Sequence, residues 1–155
     1  MKKVYAFETK CLGCGLCEVY CRTAHSKFKD VVKAHNRDNV ISAIVIENIF
    51  RQSKPISYFV LQCRHCLSPR CVKACISGAM HKDEQGIVHN DKKRCVGCLS
   101  CVSVCPFGAI KKSRDCKTIS KCDLCVGYGE PLCVKNCPND AIKLLDENEV
   151  EVALK

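Results

Sequence analysis

Cys95-Val96-Gly97-Cys98-Leu99-Ser100-Cys101-Val102-Ser103-Val104-Cys105-Pro106 sets four cysteines at spacings of two, two and three residues and closes on proline. That is the run by which a bacterial polypeptide wraps a cubane iron–sulfur cluster. Working outward, the pattern recurs with small edits as Cys63-Cys66-Cys71-Cys75, Cys122-Cys125-Cys133-Cys137 and Cys11-Cys14-Cys17-Cys21. Sixteen of seventeen cysteines are thereby accounted for, about a tenth of the chain. Cubane clusters take four thiolates each, so the count predicts four [4Fe–4S] clusters, whose usual work is carrying electrons.

Other readings of so much cysteine are weaker. A disulfide scaffold belongs to oxidising compartments. Here the N-terminus, Met1-Lys2-Lys3-Val4-Tyr5-Ala6-Phe7-Glu8, shows no apolar leader segment and no twin arginine before Cys11. The expectation is a cytoplasmic chain whose longest apolar stretch, Ile41 to Ile46, is too short for a membrane span. Zinc sites usually join two separated C-x2-C knuckles, whereas three cysteines within seven residues and a fourth three residues on is the cubane arrangement.

The formal charge of +9 raises the question of nucleic acid. Each oxidised cubane with four thiolates carries roughly −2, and roughly −3 when reduced. Four of them bring the loaded protein to about +1 oxidised and about −3 reduced. The basic residues therefore read as compensation for buried anions. Aromatic residues are 6% of the chain and tryptophan is absent, which removes the usual platforms for base stacking. No nucleic-acid partner is expected.

The four groups are internal repeats. Three end alike, as Cys75-Ile76-Ser77-Gly78-Ala79-Met80, Cys105-Pro106-Phe107-Gly108-Ala109-Ile110 and Cys137-Pro138-Asn139-Asp140-Ala141-Ile142. Cys71/Cys75, Cys101/Cys105 and Cys133/Cys137 are i,i+4 pairs, which one helical turn places on one side. Such a turn can sit between two clusters and serve both. In two-cluster ferredoxins the fourth cysteine of each run does ligate the other cluster. Repeats two and three lie close, joined by a predicted hairpin of Ala79–Lys82 and Ile87–His89 turning at Asp83-Glu84-Gln85-Gly86. The predicted fold is α+β: a single polyferredoxin unit over 1–155, with two pseudo-symmetric bacterial-ferredoxin-like modules of short strands and single-turn helices. Residues 58–112 make the inner module, 1–30 with 113–155 the outer one, and 31–57 a β-rich connection. Val40 to Ile49 and Tyr58 to Leu61 read as strands covering the clusters, and Ser26 to Asn39 as a surface helix or loop. The tail reads as strand, polar turn at Asp146-Glu147-Asn148-Glu149, and second strand.

With these motifs in view, the chain resembles the four-cluster ferredoxin-like electron-transfer subunits of anaerobic redox complexes. The resemblance runs from Cys11 to Ile142. It is most specific at Cys63-Arg64-His65-Cys66, Cys71 to Met80, Cys95 to Ile110 and Lys121-Cys122-Asp123-Leu124-Cys125. Cys11-Leu12-Gly13-Cys14-Gly15-Leu16-Cys17-Glu18 and Ala24-His25-Ser26 look like the iron–sulfur subunit associated with nickel carbon monoxide dehydrogenase. The resemblance implies crossed ligation. Cys11, Cys14, Cys17 and Cys137 would hold one cluster, and Cys122, Cys125, Cys133 and Cys21 its mate. Cys63, Cys66, Cys71 with Cys105, and Cys95, Cys98, Cys101 with Cys75, would hold the inner pair. Arg22 and Ile76 replace the proline that closes the run, and the second and fourth motifs are widened by Leu67–Arg70 and Val126–Leu132. Larger members carry long C-terminal extensions or membrane-anchoring companions, and this chain is expected to have no such extension.

The implied function is relay of single electrons between carbon monoxide dehydrogenase and an acceptor such as a flavin-dependent NAD(P) oxidoreductase or a hydrogenase. The alternatives are the electron-transfer subunit of a molybdenum or tungsten formate dehydrogenase or reductase, and a structural or sensor metal-binding subunit. No nucleophile–base pair or nucleotide-binding glycine motif is present, so no catalytic residues are assigned. His25 and His65 read as partners of ligand cysteines or packing residues. Cys116 reads as a small buried hydrophobe. Lys73, Arg94 and Lys121 are either potential-tuning charges or solvated side chains, and Val126–Pro131 reads as a surface insertion.

Overall fold

The computed structural model describes residues 1–52 and 54–153. Its strands are β1 (Lys3–Ala6), β2 (Ile44–Arg51), β3 (Lys54–Gln62), β4 (Met80–Lys82), β5 (Val88–Asn90), β6 (Lys111–Lys112), β7 (Ile119–Ser120) and β8 (Ile142–Leu145). Its helices are α1 (Leu16–His25), α2 (Val31–Arg37), α3 (Arg70–Lys73), α4 (Ser100–Ser103), α5 (Leu132–Lys135) and α6 (Glu147–Ala153). All strands pair antiparallel in twos: β1 with β8, β2 with β3, β4 with β5 and β6 with β7. The first pairing joins the two ends of the chain, with Lys3 opposite Leu145 and Ala6 opposite Ile142.

The single-turn helices follow from the repeat. α3, α4 and α5 each carry one cysteine, Cys71, Cys101 or Cys133, and end just before the next, Cys75, Cys105 or Cys137. Four residues give almost no helical hydrogen bonding of their own, so such turns persist only when tertiary contacts hold them. α3 packs on α4, and α5 on α1. Two buried clusters result. Val4, Ile44, Val60 and Ile142 surround Cys17, Cys21 and Cys133. Met80, Val88, Ile110 and Ile119 surround Cys101.

The expected hairpin at 79–89 forms as β4 and β5, with Gly86 at φ 87° in its turn. The expected cover forms as β2 and β3, shifted from the predicted bounds. Residues 40–43 lead in without pairing, and 47–50 extend into solvent. Ile44 and Val60 are the buried contacts it supplies. The backbone N–H of Ile46 donates to Glu18 Oε1 at 2.7 Å, tying this hairpin to α1. Gln62 Nε2 donates to Val4 O at 2.8 Å, tying it to β1. The register slips beside Pro55, opposite Phe50, where proline has no N–H for the ladder. The undecided segment 26–39 contains α2, started by Asp30 accepting from Lys33 N at 2.8 Å.

The tail corrects the sequence reading. After β8 comes helix α6 in place of a second strand. Asp146 Oδ1 accepts from the N–H groups of Asn148 and Glu149, and Glu149 Oε2 accepts from Asp146 N at 2.9 Å. This reciprocal capping box is written in the sequence as Asp-x-x-Glu ahead of Val150 and Val152, a polar run that also fits a turn. Asp146→Ala should cost α6 about 1 kcal/mol. Hydrogen exchange at amides 148–153 should then be about fivefold faster, with β1 and β8 amides unaffected.

Candidate metal centres

None of the seventeen cysteines is in a disulfide. Cys11, Cys14, Cys17 and Cys137 line one cavity together with Ile46 and Ile142. Cys63, Cys66, Cys71 and Cys105 line another, of about 240 Å³, with Val88, Pro106 and Ile110. The remaining thiols are recognised by how they disturb one another's ionisation. Burial first, then Cys122, Cys21 and Cys125, drive the Cys133 thiol strongly upward. Burial pushes Cys101 up to about 11, with Cys95, Cys71 and Cys75 adding to it. Each of the two cavities thus contains a cysteine contributed by another repeat, Cys137 in one and Cys105 in the other.

The groups also follow one another through the molecule. Cys17 and Cys21 share α1 and pack with Cys133. Cys122, pushed up to about 12 by burial, feels both Cys21 and Cys63. Cys71 is raised by burial and then by Cys63, with Cys105 adding to it, and Cys101 feels Cys71. Cys14 and Cys98 are the only exposed cysteines among these sixteen, and they belong to the first and last groups of this succession.

Buried thiols with raised pKa values suit a centre that ionises them only when metal arrives, releasing protons on binding. Four cysteines in each of two mostly apolar cavities, without a competing carboxylate lining either one, fit a cubane cluster by the chemistry of their donors. N–H groups already point at sulfur: Ala43 N to Cys21 at 3.3 Å, Met80 N to Cys75 at 3.4 Å and Leu124 N to Cys122 at 3.4 Å. Hydrogen bonds of this kind raise a cluster's potential. Ser77 and Ser100 hydroxyls lie 3.6 and 3.5 Å from Cys75 and Cys98. The loops need special backbone. Gly13 has φ 67°, and a Cβ there would overlap the Tyr58 ring.

Of the two sequence-flagged histidines, His25 contacts Cys21 directly, and His65 is buried between Cys63 and Cys66 in the chain. His25 Nε2 lies 2.9 Å from Asp123 Oδ1, while Nδ1 lies 2.8 Å from Cys21 O and 3.9 Å from Cys21 Sγ. The Asp123 hydrogen bond, then Cys21, lifts His25 to about 11. Burial pushes Asp123 upward, but the His25 hydrogen bond, the His25 charge and the Cys125 N–H together outweigh it and bring the carboxyl down to about 2. His65 has no exposed surface, and burial with the nearby Lys121 charge lowers its pKa to about 3.

Lys121 is only 8% exposed, so the solvated-lysine reading fails. Its ammonium donates to Val88 O and Cys122 O and lowers the pKa of Cys71 and Cys122 against the effect of burial. Lys73 is exposed, and Arg94 donates to Ser77 O at 3.3 Å. Cys116 is a second correction. It is exposed, at φ 60° in the turn between β6 and β7, where the charged residues Arg114, Asp115 and Lys117 are exposed beside it. The 126–131 insertion is largely exposed, with the Tyr128 hydroxyl donating to Ala24 O at 3.2 Å.

These thiol groups on short antiparallel pairs define an iron–sulfur protein of ferredoxin type, and comparison with known proteins agrees. Residues 55–147 match the 4Fe-4S dicluster domain, and the chain belongs to that family. It is 35% identical to the thiosulfate reductase electron transfer subunit PhsB of Salmonella typhi, over 93% of this chain and 76% of that one. An iron-sulfur protein of Rhodospirillum rubrum is 34% identical over 98% and 86%. One subunit of the anaerobic dimethyl sulfoxide reductase of Escherichia coli is 34% identical over 87% and 68%. The protein is an iron–sulfur electron-transfer subunit rather than a catalytic one, and its cofactors are four [4Fe–4S] clusters. Among the described residues no helix is long and apolar enough to cross a membrane.

The His25–Asp123 pair gives stability a defined pH window. Asp123 is depressed, so its share is complete above about 4 and lost as pH falls toward 2. His25 is raised, so its share is complete below about 6.5 and lost as pH climbs toward 11. The thermal midpoint difference between wild type and Asp123→Asn should therefore be flat from about pH 4 to 6.5 and shrink steadily above it. Differential scanning fluorimetry across that range checks the sign.

Proposed function

We propose that this chain relays single electrons for the catalytic subunit of a molybdenum- or tungsten-dependent reductase. The observation that carries the reading is the succession of four thiol groups with exposed members only in its first and last. When bound, the clusters supply four one-electron centres. The chain's own residues fix their spacing, keep water from Cys17, Cys21, Cys63, Cys101, Cys125 and Cys133, and aim N–H groups at sulfur. The ligands are the four crossed sets: Cys11, Cys14, Cys17, Cys137; Cys122, Cys125, Cys133, Cys21; Cys63, Cys66, Cys71, Cys105; and Cys95, Cys98, Cys101, Cys75. This arrangement divides the chain into an inner module and an outer one formed by its two ends.

Support for a reductase partner comes from the relatives named for thiosulfate and dimethyl sulfoxide reductases. The sequence-based expectation of carbon monoxide dehydrogenase gains no support from these names. Metal analysis of the complex co-purified anaerobically with this subunit separates the two. Molybdenum or tungsten at about one per subunit supports the proposal, and nickel without either overturns it.

The relay itself predicts about sixteen iron and sixteen acid-labile sulfide per chain, with interacting cubane signals in the reduced EPR spectrum. Cys137→Ala should remove about four of each and damage the cluster built on Cys11. If the cluster built on Cys122 is lost alone, the crossed scheme is wrong.

A further inference from the structure

His65 is placed where a packing residue has no reason to be polar. It stands between Cys63 and Cys66 with φ 42°, a backbone conformation that costs a non-glycine residue free energy. Its side chain is fully buried. Nδ1 accepts the backbone N–H of Val88 at 3.0 Å, so in the neutral ring the proton lies on Nε2. That Nε2 is buried and meets no acceptor among the described protein atoms. An orphaned buried donor loses its hydration without compensation, and native proteins rarely leave one without a partner.

The surroundings show where a partner must be. Val88, whose N–H reaches His65, lines the cavity of Cys63. Its carbonyl receives Lys121, whose ammonium also reaches Cys122 O. The imidazole therefore sits between the Cys63 and Cys122 groups, where the inner and outer halves of the succession meet. Lys121 Nζ is already engaged by Val88 O and Cys122 O, and as an ammonium it offers no acceptor. Val88 thus orients both residues, its N–H fixing the histidine tautomer and its carbonyl holding the lysine.

We propose that His65 is a positioning and potential-setting residue, its Nε2–H donating a hydrogen bond to a sulfur of one of the two clusters that meet at this junction. This rests on the four-cluster reading above. A donor to sulfur favours the more negative, reduced state, so His65 raises the potential of that cluster and makes the step between the two halves easier in reduction. The neutral ring adds no charge of its own beside Lys121.

The test begins with iron and sulfide analysis of the wild-type chain, because a content well below sixteen refutes the four-cluster reading and not the role of His65. On protein with full clusters, His65→Phe removes the donor and His65→Gln keeps a side-chain N–H. In a redox titration followed by EPR, the Phe variant should show the reduced-to-oxidised ratio of one cluster about tenfold lower at fixed potential. At 59 mV per decade for a one-electron couple, its midpoint falls by about 60 mV, while the Gln variant stays near wild type. Protein labelled with 15N-histidine supplies a signature that packing alone does not give. A nitrogen coupling to a reduced cluster should be seen in the wild type by pulsed EPR and be absent in His65→Gln. It should persist in His25→Asn, which removes the histidine nearest Cys21. Unchanged midpoints in His65→Phe at full iron overturn the proposal. So does loss of the nitrogen coupling in His25→Asn, a readout that stands even if the His65 variants fail to assemble clusters.

Discussion

Iron–thiolate bonding supplies the cohesion that this chain's carbon cannot. Strands of two to nine residues and helices of as few as four bury two small apolar clusters rather than one continuous core. Structural metal sites contribute folding free energy directly, because an unfolded chain offers no preformed set of ligands. Cysteines that are distant in sequence meet through α1, α3, α4 and α5, so metal at these positions links segments that little else connects. The β1–β8 pairing works in the same direction, closing the ends of the chain around the outer thiols.

Concentrating sulfur in this way creates an electrostatic problem. Four clusters bring about eight negative charges into a small protein when oxidised, and the thiols alone already resist ionisation where they are packed together. The chain answers with neutral dipoles and a few placed cations. Backbone N–H groups of Ala43, Met80 and Leu124 reach sulfur, His25 sits against Cys21, and Lys121 is buried between the two halves. Most remaining lysines and arginines stay at the surface, where their effect on buried charge is weaker and screened. The formal charge of +9 therefore describes the apoprotein and misrepresents the loaded one.

Function follows from exposure as much as from ligation. Cys14 and Cys98 meet solvent at the two ends of the succession, while the thiols between them are buried or half-buried. An electron-transfer subunit needs such ends where partners approach and an interior closed to water. The relatives named for thiosulfate and dimethyl sulfoxide reductases support the proposal that such a partner is a separate catalytic subunit.

Local spacing was enough to reveal the sixteen candidate ligands, the four-cluster count, the single helical turns and the 79–89 hairpin, because cubane ligation and tight turns are dictated by intervals of a few residues. The capping box at Asp146 and Glu149 is equally local, yet it passes for a turn because short polar runs serve both purposes. Which cysteine from a distant repeat joins each group is not written in the spacing of any one motif. The nesting of the repeats and the family resemblance supply that expectation, and folding brings Cys137 and Cys105 into the cavities of Cys11 and Cys63. The same limit hid the burial of Lys121 and the exposure of Cys116. A lysine is buried only when distant carbonyls, here including Val88 O, arrive to receive its protons. The meaning of His65 likewise depends on the N–H of Val88, a group twenty-three residues away that only folding brings to its ring.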